Sequence, residues 1–104
     1  MLAISRFQVT PERVPDFTLR AEAAVAFFTS RPGCLQAELL RNLDDPGLWT
    51  ITTRWADVGS YRRSFNGYDA KVVLVPLLSE AIDEPSAYDD PADVGENRPR
   101  GAVT

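Results

Sequence analysis

A chain of 104 residues, 44% hydrophobic and 25% charged, has the composition of one soluble globular domain. Its net charge of −4 argues against a nucleic-acid partner, which needs a basic face. With no histidine it can build no Ser-His or Cys-His dyad, no imidazole-ligated zinc and no His-ligated haem.

The single cysteine, Cys34, forbids an internal disulfide and an all-thiolate metal site, and it suits a reducing, cytoplasmic compartment. It reads as a small buried apolar group rather than a nucleophile. The opening Met1–Arg6 stretch is too short and too soon charged for a signal peptide. No apolar run approaches the ~20 residues of a membrane span, so no membrane partner is expected.

In chain order, Leu2 to Val9 alternates as a strand, with Ala3, Ser5, Phe7 and Val9 on one face and Leu2, Ile4, Arg6 and Gln8 on the other. Thr10-Pro11 reads as the N-cap and first position of a helix reaching about Ser30, with Val14, Phe17, Ala21, Ala24, Val25 and Phe28 as its apolar stripe. Arg31-Pro32-Gly33 stops it. Cys34 to Leu43 is a second strand, with Leu35, Ala37, Leu39 and Leu43 on one face. The Asp44-Asp45-Pro46-Gly47 turn then joins it to a third strand, Leu48 to Trp55.

Asp57 can cap a short helix to about Phe65. Gly67 interrupts, and a second helical segment runs from Tyr68 to about Glu80, kinked or ended by Pro76. Ala81 to Tyr88 reads as a final strand that Pro85 confines to an edge or bulge. Residues 1–88 thus form one domain, and the polar stretch 89–104 reads as a mobile tail. The order β-α-β-β-α-(α)-β is the ferredoxin-like α+β arrangement with a four-stranded antiparallel sheet. A core this small, with apolar residues on both faces of the first strand, points to a homodimer.

Several stretches carry a family likeness. Arg31-Pro32-Gly33-Cys34-Leu35, Asp44-Asp45-Pro46-Gly47, Arg54-Trp55-Ala56-Asp57 and Asp83-Glu84-Pro85-Ser86-Ala87-Tyr88 together resemble the antibiotic biosynthesis monooxygenase (ABM) family over about residues 1–88. That resemblance implies a dimeric α+β barrel, two protomers packed sheet to sheet, each with a pocket between its own sheet and helices. It further implies oxidation of a small phenol- or quinol-type aromatic by molecular oxygen, without metal, flavin or other cofactor. Many members carry Glu where Thr53 stands and histidines where Ser64 and Asp69 stand. The haem-degrading branch of the wider group needs an imidazole ligand, so haem binding is not expected.

Trp55 matches the family's junction tryptophan and, with Phe65, is the candidate substrate-binding wall. Asn66, Tyr61 and Tyr68 are the candidate catalytic residues: an amide or phenol could hold a substrate anion, and Tyr near neutrality is a better donor than base. The competing reading is space filling for Trp55, partly buried amphipathic residues for Tyr61 and Tyr68, and a helix C-cap for Asn66. Strand parity sends Trp49 and Trp55 to one face and Arg54 to the other, where it could pair with Glu38; Arg62-Arg63 reads as a solvated face. The alternative to an oxygenase is a non-catalytic barrel that binds a small molecule or serves structure.

Overall fold

The computed structural model describes residues 1–94. Four strands, β1 (Leu2–Gln8), β2 (Cys34–Arg41), β3 (Leu48–Trp55) and β4 (Ala87–Tyr88), form one antiparallel sheet in the order β2-β3-β1-β4. Helix α1 (Val14–Thr29) crosses one face; α2 (Val58–Arg63), α3 (Tyr68–Val73) and α4 (Val75–Leu78) follow β3, and α5 (Pro91–Val94) follows β4. This is the ferredoxin-like α+β fold expected from the alternation of the strands. Of the expected tail, Asp89, Asp90 and α5 are described, and residues 95–104 lie outside the described residues.

The register explains the core. Phe7 pairs with Trp49 and Ala3 with Thr53, so the inward residues of β1 and β3 share one layer. That layer meets the α1 stripe: Phe7, Phe17, Ala21, Ala24, Phe28, Trp49, Ile51 and Trp55 are all buried. Six residues separate the two indoles along β3, about 20 Å of strand at ~3.3 Å per residue, so they serve different ends of the core. Trp49 packs at the start of α1, its ring centroid 5.7 Å from Phe17, which in turn lies 5.1 Å from Phe7. Trp55 packs at the end of α1, 5.9 Å from Phe28.

Five local expectations are corrected. Thr10 makes no side-chain cap: its carbonyl accepts from Arg13 N (2.9 Å), which closes a 3-10 turn over Pro11–Arg13 before α1 begins at Val14. Leu35 does not face inward. Cys34 stands opposite Trp55 and Gln36 opposite Arg54, so Leu35 is the extra residue of a bulge and is 65% exposed. Leu43 leaves the strand altogether and is 99% exposed, because Asn42 Oδ1 accepts from the N–H groups of Asp44 and Asp45 (both 2.8 Å) and starts the turn early. Cys34 is half-buried rather than fully enclosed. Arg54 lies on the outer face as expected but stands opposite Gln36, and the Arg54–Glu38 ion pair is not formed among the described residues.

Pro76 divides the second helical segment at Leu74 into α3 and α4. Glu80 then clamps the end of α4 to α1 through Arg13 (2.8 Å) and Arg20 (3.0 Å). The final strand is shorter than expected, two residues instead of eight. The segment before it still follows β1, with Ile82 N donating to Arg6 O (2.8 Å) and Ile4 N to Ser86 O (2.7 Å). Arg6 fastens that segment with a bidentate pair to Glu84, at 2.7 and 2.8 Å.

Candidate functional site

The short helix α2 is held at its start by local chemistry. There Asp57 adopts an extended backbone, and its Oδ1 accepts from Ser60 N at 2.7 Å, an N-cap as expected. That hydrogen bond, then one from the Ser60 hydroxyl, holds the Asp57 carboxyl below the usual carboxylate range; the charge of Arg63 adds to this and desolvation opposes it. On the sheet side, Ala56 N donates to Gly33 O (2.8 Å), drawing the loop after α1 against the helix.

A helix turns about 100° per residue, so α2 presents two sides. Val58, Tyr61 and Arg62 face one, where they line a cavity of about 340 Å³ with Ala87, Tyr88 and Val94. Tyr61 is also a wall of a second cavity, of about 550 Å³, formed with Ile4, Ser5, Ile82 and Ser86. The Tyr61 ring therefore stands between two spaces at the β1–β4 edge. Burial pushes its phenol up from the ordinary value, with the Ser86 side chain pulling the other way, so it stays protonated and able to donate at neutral pH.

The five sequence-predicted residues divide. Trp55, Tyr61 and Phe65 come together with Phe28 in one edge-to-face cluster: Trp55–Tyr61 centroids lie 6.0 Å apart, Tyr61–Phe65 5.2 Å and Phe28–Phe65 6.0 Å. Trp55 is only 1% exposed, and its indole N–H donates to Thr53 Oγ1 at 2.7 Å. Thr53, where the family resemblance leads one to look for Glu, thus takes up the donor of the junction tryptophan. Asn66 lies apart, on the far side of α2, beside Arg31, Ser60 and Ser64. Tyr68 opens α3, is 79% exposed and lines none of these cavities.

The residues that sequence reasoning missed are those supplied from a distance: Ala87 and Tyr88 of β4, Ser86 before it, and Val94 of α5. For Ser86, Ala87 and Tyr88 the sequence signal is the Asp83–Tyr88 stretch itself, whose register Pro85 leaves open; Val94 lies beyond that stretch. Among the described residues, no three His, Cys, Asp or Glu side chains converge into a set that could hold a metal ion. No described helix is long and apolar enough to cross a membrane.

Residues 1–72 match the antibiotic biosynthesis monooxygenase family. Among solved structures, the chain is similar to a conserved protein from Methanosarcina mazei Go1, with 26% identity and a TM-score of 0.68 over 83% of this chain and 84% of that one. It is similar to a protein described as an antibiotic biosynthesis monooxygenase, at 22% identity and TM-score 0.64 over 84% and 92%. It also resembles SnoaB, a cofactor-independent oxygenase from Streptomyces nogalater, at 22% identity and TM-score 0.66 over 78% and 82%. No curated protein matches the sequence.

Proposed function

The chain belongs to the antibiotic biosynthesis monooxygenase family, and on that premise we propose that it oxygenates a small phenol- or quinol-type aromatic with molecular oxygen and no cofactor. The observation that carries this reading is Tyr61, half-buried and protonated, which lines both a largely apolar cavity of about 340 Å³ and the cavity that holds Ser86. That volume is at the lower end of the ~300–1,000 Å³ typical of ligand pockets, which suits one to three fused rings.

In the proposed reaction, the substrate reacts as its electron-rich anion. Tyr61 donates a hydrogen bond to the developing phenolate oxygen, and Arg62 on the same side supports the negative charge. The anion passes an electron to oxygen and the two recombine. For a ring-activated methylene, one oxygen atom becomes the new carbonyl while the other leaves as water with the two hydrogens of that carbon. Trp55 and Phe65 act behind Tyr61, fixing its ring edge-on rather than touching the substrate. Asn66 and Tyr68 lie outside the lining of this cavity, so Tyr61 holds the donor role here.

A second reading rests on the aromatic cluster. Phe28, Trp55, Tyr61 and Phe65 fill the space between sheet and helices, which favours a non-catalytic barrel that binds a ligand at its edge. Both readings have two copies packing outer sheet face to outer sheet face, where Leu2, Ile4, Leu40 and Leu48 carry the apolar surface.

Oxygen uptake with a panel of hydroquinones and anthrones separates the two. Uptake above a heat-denatured control is expected for at least one compound. Tyr61→Phe should reduce it by about 10²–10³-fold, the usual effect of removing one oxyanion donor. Uptake no faster than the control across the panel refutes the oxygenase.

A further inference from the structure

The second side of α2 is built differently. Ser60, Arg63 and the capping Ser64 share that side, and with Arg31, Pro32 and Asn66 they line a separate cavity of about 260 Å³. We propose that this cavity is a binding site for a small oxyanion, a carboxylate or phosphate group held between the guanidinium groups of Arg31 and Arg63. The proposal is independent of the oxygenase reading, since it uses the opposite side of the helix and none of the Tyr61 cavity lining.

The first support is how the arginines are occupied. The chain has 15 acidic residues to 11 basic ones, and Arg6, Arg13 and Arg20 each hold a carboxylate at 3.0 Å or less. Arg31 and Arg63 make no ion pair among the described residues. Their contacts are long: Arg31 Nη2 reaches Asn66 O at 3.4 Å, and Arg63 Nη2 reaches Ser60 Oγ at 3.4 Å. Such distances sit at the weak end of hydrogen bonding, and an ionised acceptor at ~2.8 Å would displace them.

The second support is an orphaned donor. Arg31 Nε is buried and has no hydrogen-bond partner, while its guanidinium lies over the Phe27 ring with Cζ 5.0 Å from the centroid. The ring fixes the plane of the fork on one side; Nε itself is closed off, so an anion in the cavity meets the Nη groups first and reaches Nε after a small side-chain shift. A buried N–H without an acceptor is costly, and a planar fork matches two oxygens of one anion. Asn66 adds an amide at the wall. Asp57 is the carboxylate whose charge Arg63 feels, and the Ser60 N hydrogen bond keeps it ionised, so the local balance is two guanidinium groups against one carboxylate.

Size narrows the class. At about 260 Å³ the cavity falls below the range for drug-sized ligands, so it accepts an anionic head group or a free small anion rather than a whole polycyclic molecule. Gly33 makes the space possible: with φ of +86° it lies directly against Ser60, closing the Arg31 loop onto α2.

The test is a titration of the ¹⁵N-labelled protein with inorganic phosphate and, separately, with acetate, at constant ionic strength balanced by chloride. A saturable shift of the Arg31 Nε–H signal and of the Ser60 and Ser64 amides is expected with at least one anion. Phosphate alone, acetate alone or both assign the class. Arg31→Ala and Arg63→Ala should each weaken the titration ~10-fold or more, as expected for loss of a charge-assisted pair. Arg54→Ala, on the outer sheet face, should leave it unchanged. Non-saturable shifts equal to those given by chloride overturn the proposal, as does unchanged affinity in both cavity variants.

Discussion

Replacing Gly33 by alanine tests how α2 is held against the rest of the molecule. Gly33 and Gly67 are the two positive-φ residues among those described, at +86° and +96°. Positive φ strains an L-residue at both sites, and Gly67, with φ +96° and ψ 165°, lies in a region open essentially to Gly alone, where strain costs about 1–3 kcal/mol. Both also gain about 0.4–1 kcal/mol from a less flexible unfolded chain, so that term cancels between them. They differ in what the new methyl group meets. At Gly67 nothing lies within 4 Å, whereas at Gly33 a Cβ runs into the Cβ and Oγ of Ser60. Overpacking of this kind costs about 1–3 kcal/mol. Gly33→Ala should therefore carry a steric cost of ~1–3 kcal/mol that Gly67→Ala lacks, read as the coupling between Gly33→Ala and Ser60→Gly and worth at least roughly 4 °C in Tm for a domain of this size. Urea unfolding gives the comparison directly, provided the m-values agree. Adding Ser60→Gly to Gly33→Ala removes the obstruction but not the backbone strain, so the double variant should recover the steric part alone. If Ser60→Gly restores nothing in the Gly33→Ala background, α2 is not seated on Gly33 as described.

Two further predictions concern charge and assembly. The carboxyl of Glu80 is held below the ordinary range by hydrogen bonds from Arg13 and Arg20, and that of Glu84 by hydrogen bonds from Arg6. Their folded pKa values lie below the unfolded ones, so this stability is fully present above the ordinary Glu pKa of about 4.3 and is lost as pH falls through the lower folded values. Glu80→Gln with Glu84→Gln should flatten the acid limb of the urea midpoint against pH between about 5 and 3; an unaltered limb would assign acid lability to other groups. Light scattering at micromolar concentration should give a dimer, and Ile4→Glu, which puts a charge opposite Thr52 on the outer sheet face, should give a folded monomer. A wild-type monomer refutes the sheet-to-sheet packing.

The strands were legible because a pleat writes its two faces into alternate residues. Phe7, Trp49, Ile51 and Trp55 fall inside as that period requires. The misplacements occur where a local competitor overrides the period. A bulge ejects Leu35, the Asn42 side chain ends β2 before Leu43, and Pro85 with the Arg6–Glu84 pair replaces most of the last strand by isolated hydrogen bonds. The candidate site was legible only in part. Trp55, Tyr61 and Phe65 meet in one aromatic cluster because Tyr61 and Phe65 are four residues apart and Trp55 ends the strand just before α2. The 340 Å³ cavity also needs Tyr88 and Val94, and the 260 Å³ cavity needs Arg31 brought onto α2 by a glycine, and no local pattern encodes either approach.

The adjacent arginines show why this matters for function. Arg62-Arg63 reads in sequence as one solvated cationic patch, yet a helix places neighbours about 100° apart. Arg62 consequently belongs to the aromatic-lined cavity and Arg63 to the polar one. On the two proposals the charges would act on different occupants: a phenolate beside Tyr61 would draw on Arg62, and an oxyanion beside Arg31 on Arg63, on opposite sides of the six-residue α2. Loss of one charge should therefore leave the other cavity's ligand largely unaffected, because a contact made directly in a part-buried pocket outweighs a screened one across the helix. On both proposals a single cationic pair would serve two recognition surfaces, one backed by the Trp55–Tyr61 contact and the other by the close approach of Gly33 to Ser60.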